Sequence, residues 1–198
     1  FDCLVGSEMC IRDSLDAESG SKFAESRPVK TVLIVAITSN RGLCGAFNSN
    51  IIKQTNQLAE IYSDKKVSVV ATGKKGNDVL SKNLEILSNQ STVFDKLSFE
   101  NVAEIAEMLM AKFESGAFDK IELVYNKFKN AATQIVTTEQ FLPIVATADE
   151  RGAPSDYIFE PTKEEIVKTL IPKSLKMQLY KAIRDSFASE HAVSYTHL

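Results

Sequence analysis

Seven consecutive residues, Thr31-Val32-Leu33-Ile34-Val35-Ala36-Ile37, form a β-branched and aliphatic run without a charge. Such a run predicts a strand covered on both faces, at the centre of a mostly parallel sheet. Apolar positions then move to helical spacing at Phe47, Ile51, Leu58 and Tyr62, predicting a helix that packs back on the sheet. Between the two, Gly42 and Gly45 permit a tight strand-to-helix turn, and a positive φ is the condition under which Gly42→Val would be costly. Residues 67–72 read as a second parallel strand, followed by a turn bracketed by Gly73 and Gly76 and a short helix through Leu80. The third strand is either 85–87 or 92–94. Ser98 suits an N-cap, with Glu100 in the first turn of a helix that carries Val102, Ile105, Leu109 and Phe113 on one face and ends at Gly116.

Two more strands follow, at 120–128 and 134–142, joined near Asn130. That connection is too short for a helical crossover, so the pair is expected to be an antiparallel hairpin at the sheet edge. Residues 143–156 lack periodicity and read as an exposed loop. Pro161 fits the first turn of a closing helix with Glu164 and Glu165 near its start. Pro172 is expected to kink that helix or begin a new one. Beyond it Leu175, Leu179, Ile183 and Phe187 form a stripe. The predicted fold class is therefore α/β, doubly wound, with a mostly parallel sheet and an antiparallel edge hairpin.

The whole chain of 198 residues suits one domain, and 44% apolar with 25% charged residues is ordinary for a globular chain. Net charge is −3 with dispersed basic residues, which argues against a nucleic-acid partner. No stretch approaches the roughly 20 apolar residues of a membrane-spanning helix, so direct membrane insertion is not expected. Of Cys3, Cys10 and Cys44, the first two lie in an atypical leader, and one remaining thiol forms no intrachain disulfide.

Arg41-Gly42-Leu43-Cys44-Gly45, between a central strand and a helix, sits where phosphates often bind. It has neither the dinucleotide spacing G-x-G-x-x-G nor the G-x-x-x-x-G-K-[ST] loop, and Gly73-Lys74-Lys75-Gly76 has neither as well. Cys44 beside Arg41 resembles an activated thiol only superficially, because the histidines are His191 and His197, both near the end of the chain. Small-residue packing is the stronger reading of Cys44. Asp149-Glu150 and Glu164-Glu165 do not form a ligand set or a shared-proton pair. Asn48 and Asn50 carry amides that can hold a turn or meet a partner, with turn-holding favoured. Tyr125-Asn126-Lys127-Phe128 is either edge-strand packing or a contact surface. No catalytic, cofactor-binding or metal residue is assigned.

Residues 38–50 nonetheless form a recognisable tract. Ser39, Arg41, Gly42, Leu43, Cys44, Gly45, Asn48 and Asn50 fall on a signature that resembles the γ subunit of F-type ATP synthases. Gly73–Gly76, Tyr125–Phe128, Phe159-Glu160-Pro161 and Ala188-Ser189-Glu190-His191-Ala192 extend the resemblance over about residues 15–192. It implies a globular foot of a central-stalk rotor, flanked by remnants of an antiparallel coiled coil of terminal helices. It also implies alpha, beta and epsilon subunits and a membrane c-ring as partners, no cofactor, and torque transmission without chemistry in the chain itself. The complex would lie on the cytoplasmic face of the bacterial plasma membrane. Tyr157, Phe159 and Glu160, in the tract that matches the foot near the c-ring, are the expected partner contacts.

The resemblance divides the chain into a foot at 15–160 and the start of a C-terminal shaft helix at 161–192. Residues 1–14 and 193–198 fall outside it and read as a non-native leader and tail of translated adapter sequence. The stripe on the closing helix is expected to lie exposed, because its partner helix would lie upstream of Ser14. Two other classes stand against this reading: a flavodoxin-like nucleotide- or flavin-binding domain using a switch-point crevice, and a free-standing interaction module.

Overall fold

A computed structural model describes residues 22–25, 27–42, 46–130, 133–144 and 163–196, with side chains in the last segment described over 169–193. Strand β1 (Thr31–Ile37) is followed by helix α1 (Ala46–Ile61), β2 (Lys66–Thr72), the short α2 (Lys74–Leu80) and β3 (Glu85–Asn89). A 3-10 turn (Ser91–Phe94) leads into α3 (Phe99–Glu114), then β4 (Lys120–Asn130), β5 (Thr133–Leu142) and α4 (Lys163–Thr196). The sheet order is β3-β2-β1-β4-β5. β1 is parallel to β2 and β4, β2 is parallel to β3, and β4–β5 is the antiparallel hairpin. The doubly wound class expected from the run at 31–37 is the observed one.

Alternation along β1 assigns its two faces. Val32, Ile34 and Ala36 pack with Ile51 and Leu58 of α1 and Leu80 of α2. Leu33, Val35 and Ile37 pack with Val102, Leu109 and Phe113 of α3 and with Leu175, Leu179 and Ile183 of α4. All of Val32 to Ile37 are fully buried, as a strand covered on both sides requires. The Ser98 side chain caps α3 by accepting from the Asn101 amide, and Gly116 ends it at φ 72°.

The choice left open for the third strand is settled in favour of its first alternative, and several other expectations needed correction. The third strand is 85–89, whereas Thr92-Val93-Phe94 lies in the 3-10 turn. Asn89 Oδ1 accepts from the Ser91 amide at 3.0 Å, turning the chain out of the ladder, and Val93 is then buried against α3. Gly76 belongs to α2 rather than to a turn. Ile144 is not part of an exposed loop: its amide donates to Phe23 O at 2.8 Å and its side chain packs on the core. Pro172 starts no new helix, since α4 runs through it for 34 residues. Ile171 and Leu175, each 2% exposed, sit in one core on either side of it, and that burial outweighs a proline cost of about 3 kcal/mol. The α4 stripe is likewise not open: Leu175, Leu179 and Ile183 are buried against α3 and the sheet, while Phe187 stacks on Phe94.

Candidate functional site

In an open α/β sheet, ligands bind at the carboxyl ends of the strands, at the point where strand order reverses. Here β1 is followed on one side by β2 and on the other by β4, so the crevice lies beyond Ile37 and around Asn126. Among the described residues, several polar side chains are buried there. Thr38 and Ser39 are each 1% exposed, Asn126 2% and Ser189 0%.

The segment after β1 saturates the start of α2. Gly76 N donates to Thr38 Oγ1 at 2.9 Å, Lys75 N to Ser39 O at 3.2 Å and Lys74 N to Asn40 Oδ1 at 3.0 Å. These are the amides that would otherwise face a phosphate. Asn40 Nδ2 also donates to Ser91 O at 2.9 Å, joining the same segment to the 3-10 turn. Close approach explains both glycines of the 73–76 tract. A Cβ on Gly73, whose φ is 125°, would lie 2.3 Å from Thr38 O, and one on Gly76 would lie 2.6 Å from Thr38 Oγ1.

Asn48 holds the turn itself. Ser39 N donates to Asn48 Oδ1 at 2.9 Å, Asn48 Nδ2 donates to Ser39 Oγ at 2.9 Å, and Ser39 Oγ donates to Arg41 O at 2.7 Å. The signature residues Arg41, Gly42 and Asn48 are thus brought together, whereas Asn50 is exposed on α1. Leu43, Cys44, Gly45, Tyr157, Phe159 and Glu160 lie outside the described residues. Gly42 does not meet the condition set for it: the positive-φ glycines among the described residues are Gly73 and Gly116, and a Cβ at Gly42 would meet Lys75 Cε at an ordinary 3.4 Å.

Between β1 and β4, Asn126 Nδ2 donates to Phe47 O at 3.2 Å and Asn126 O accepts from Ser189 Oγ at 3.2 Å. Phe47 and Val193 pack together beside them. Next to Ser189, burial holds the Glu190 carboxyl above its ordinary value, and the charges of His191 and Arg41 oppose that shift. Three tracts far apart in sequence, 38–50, 125–128 and 188–192, therefore meet at one end of the sheet.

A second polar cluster lies near the start of β4. Lys120 Nζ is 2.6 Å from Glu122 Oε1, which also accepts from the Tyr62 hydroxyl at 2.9 Å. Burial pulls the Lys120 pKa down, but the hydrogen bonds to Glu122 and Tyr62 prevail and raise it. This cluster ties the end of α1 to β4. A surface cavity of about 400 Å³, lined in part by Gln90, Thr92, Asn101 and Met108, shares no residue with either cluster. Among the described residues no three His, Cys, Asp or Glu side chains gather as metal ligands.

Thr38 and Asn40 fall in the tract 38–50, and Asn126 and Ser189 in the tracts 125–128 and 188–192, but the sequence assigns none of the four its partner. Their signal is a polar residue at the carboxyl end of a buried strand, or within the apolar face of a helix, where burial demands a partner.

The fold and these contacts define a doubly wound α/β domain whose strand ends are tied by polar side chains to the flanking helices. A family profile described as ATP synthase matches residues 8–198. The chain is 62% identical over 184 residues to the ATP synthase gamma chain of Flavobacterium psychrophilum and 61% identical to that of Flavobacterium johnsoniae. In each case the match covers 92% of this chain and 64% of the relative. The central stalk and c-ring structure of Tetrahymena thermophila mitochondrial ATP synthase contains a chain similar at TM-score 0.67 and 25% identity, over 98% of this chain and 84% of that one. The rotor of Euglena gracilis mitochondrial ATP synthase shares the fold at TM-score 0.65 and 21% identity, over 94% and 72%. The chain belongs to the gamma-chain family of ATP synthases and spans 64% of the length of the Flavobacterium relatives.

Proposed function

We propose that this chain is the central-stalk rotor subunit of a proton-translocating ATP synthase, carrying torque between a membrane c-ring and a catalytic alpha/beta ring. Bond making and breaking take place elsewhere in the complex. The observation that carries this reading is a strand-end crevice filled by the chain's own Thr38, Asn40, Asn126 and Ser189 in a member of the gamma-chain family. A body that transmits torque needs packed contacts between its elements, and a filled crevice supplies them where a ligand-binding relative keeps a cleft. The flavodoxin-like alternative loses its binding position for the same reason.

The partners in this reading are the alpha, beta and epsilon subunits and the c-ring, with the complex peripheral on the cytoplasmic face of the bacterial plasma membrane. Tyr157, Phe159 and Glu160 are the proposed contacts toward the c-ring or epsilon, supported by the enrichment of aromatic residues in interface cores. Combining the full-length protein with alpha and beta subunits tests the main reading: assembly and ATP-driven rotation of a probe on it are expected. Titration of the isolated chain with nucleotides or flavin is expected to give no saturable binding. Saturable binding without assembly would replace the rotor reading. A photocrosslinker at position 157 is expected to label c-ring or epsilon, and a rotating complex without either product would remove that contact.

A further inference from the structure

We propose that the Asn126–Ser189 contact is the joint that fixes the rotational register of α4 against the sheet, making Ser189 a positioning residue for torque transfer. The proposal rests on the rotor reading above.

α4 is gripped in two different ways. Along 171–183 the grip is mainly apolar, through Ile171, Leu175, Leu179 and Ile183 in one core, and the polar contacts there, from Lys176 to Glu107 and from Gln178 to Glu139 and Gln140 O, are exposed or only part-buried. An apolar stripe about 100° wide sets which face of the helix is buried, but because apolar burial is non-directional it tolerates smaller rotations about the axis. Nearer the end of α4 the grip changes character. Ser189 is fully buried, and its hydroxyl donates to Asn126 O at 3.2 Å. Asn126 is itself immobilised, since its amide donates to Phe47 O in the first turn of α1. One residue of β4 thus binds the first turn of α1 on one side and α4 on the other, at the switch point between β1 and β4.

A hydrogen bond has a narrow range of distance and angle, so rotation or sliding of α4 breaks it before the apolar stripe is disturbed. Burying polar groups is unfavourable unless they are paired, and such pairs select one arrangement among several that apolar packing would accept. Val193, packed on Phe47, is the last buried residue of the described part of α4. A twisting load applied to α4 beyond Val193 therefore reaches the Asn126–Ser189 contact before it reaches the stripe.

The test compares wild type, Ser189→Ala and Ser189→Cys, each assembled with its partner subunits. Alanine keeps helix propensity and removes the donor, while cysteine retains a weak donor of nearly the same size. Amide hydrogen exchange over 186–193 is expected to quicken about fivefold in Ser189→Ala, the effect of losing one net hydrogen bond, with 171–183 unchanged. Cysteine is expected to fall between. In single-molecule rotation, Ser189→Ala is expected to widen the distribution of dwell angles at unchanged ATP turnover. Unchanged exchange at 186–193 together with an unchanged angular width, in a complex that assembles and rotates, overturns the joint and leaves the rotor reading intact. Failure of the full-length wild-type protein to assemble overturns the rotor reading instead, and with it the role assigned to Ser189.

Discussion

Gly73→Ala is the sharpest test of the filled crevice. Gly73 has φ 125° and ψ 137°, and an added Cβ would stand 2.3 Å from Thr38 O and 2.6 Å from Thr38 C. Forcing a side chain into that backbone region costs about 1–3 kcal/mol, and overpacking against atoms that cannot move adds about 1–3 kcal/mol. The obstructing atom is a backbone carbonyl, and the Thr38 amide is tied to Thr72 O at 2.8 Å, so the neighbour cannot easily give way. A loss of about 2–6 kcal/mol is expected, large against a typical total of about 5–15 kcal/mol. Gly76→Ala provides the contrast, because its Cβ would meet the Thr38 side chain, at 2.6 Å from Oγ1 and 2.9 Å from Cγ2. Adding Thr38→Ala should therefore partly rescue Gly76→Ala but not Gly73→Ala. Gly42→Ala, facing only the end of a lysine side chain, should stay within about 0.5 kcal/mol of wild type. Urea unfolding followed by circular dichroism measures all five variants against wild type. A Gly73→Ala variant as stable as wild type, or one rescued by Thr38→Ala, would refute the reasoning.

Leu179 is fully buried between α3, α4 and the sheet, so Leu179→Ala is expected to cost about 2–5 kcal/mol. Calorimetry that finds no loss would return α4 to a helix with an open stripe. Glu190→Gln tests the buried carboxyl, whose pKa burial raises above the ordinary 4.5. A raised folded-state pKa means that its contribution is fully present below the ordinary value and lost as pH rises through the folded value. Glu190→Gln should thus melt higher than wild type at pH 7, with the difference shrinking toward about pH 4.5. A constant or growing difference on acidification would show that the Arg41 and His191 charges dominate instead.

The parts of this fold that could be read from sequence are those decided by local periodicity. The uncharged run at 31–37 required cover on both faces and so a central strand, and the few residues between 128 and 134 excluded a crossover. Ser98 and Gly116 bounded α3 because capping is a local matter. Choosing between 85–87 and 92–94 was not local: it depended on Asn89 accepting from Ser91 and on room for Val93 under α3. Of the two readings of Pro172, a new helix fails for a related reason, since proline penalises an isolated helix while Ile171 and Leu175 hold this one in a shared core. The signature at 38–50 marked the right place in the fold. It could not show which glycine the fold requires, because Gly73 is approached closely by Thr38, 35 residues earlier.

The candidate site was the least legible part, and the cause is physical. Thr38, Asn40, Asn126 and Ser189 matter because each satisfies a donor or acceptor on another element: Gly76 N, Lys74 N, Phe47 O and Asn126 O, all buried except the Asn40–Lys74 contact. No periodicity records such a debt. In a phosphate-binding relative of this architecture the helix amides are left for a ligand, and the glycines open space for it. Here the same amides bond the preceding strand segment, and the glycines let Thr38 approach. The conversion of a receptor into a solid body thus needs no change of topology, only polar side chains of the right length beyond β1 and β4. If that is the origin of its rigidity, emptying the crevice should soften the domain without unfolding it. Combining Asn40→Gly with Ser189→Ala is therefore expected to speed amide exchange in α2 and in 186–193 while β1 remains protected, and uniform deprotection of β1 would mean that the polar contacts hold the whole sheet together instead.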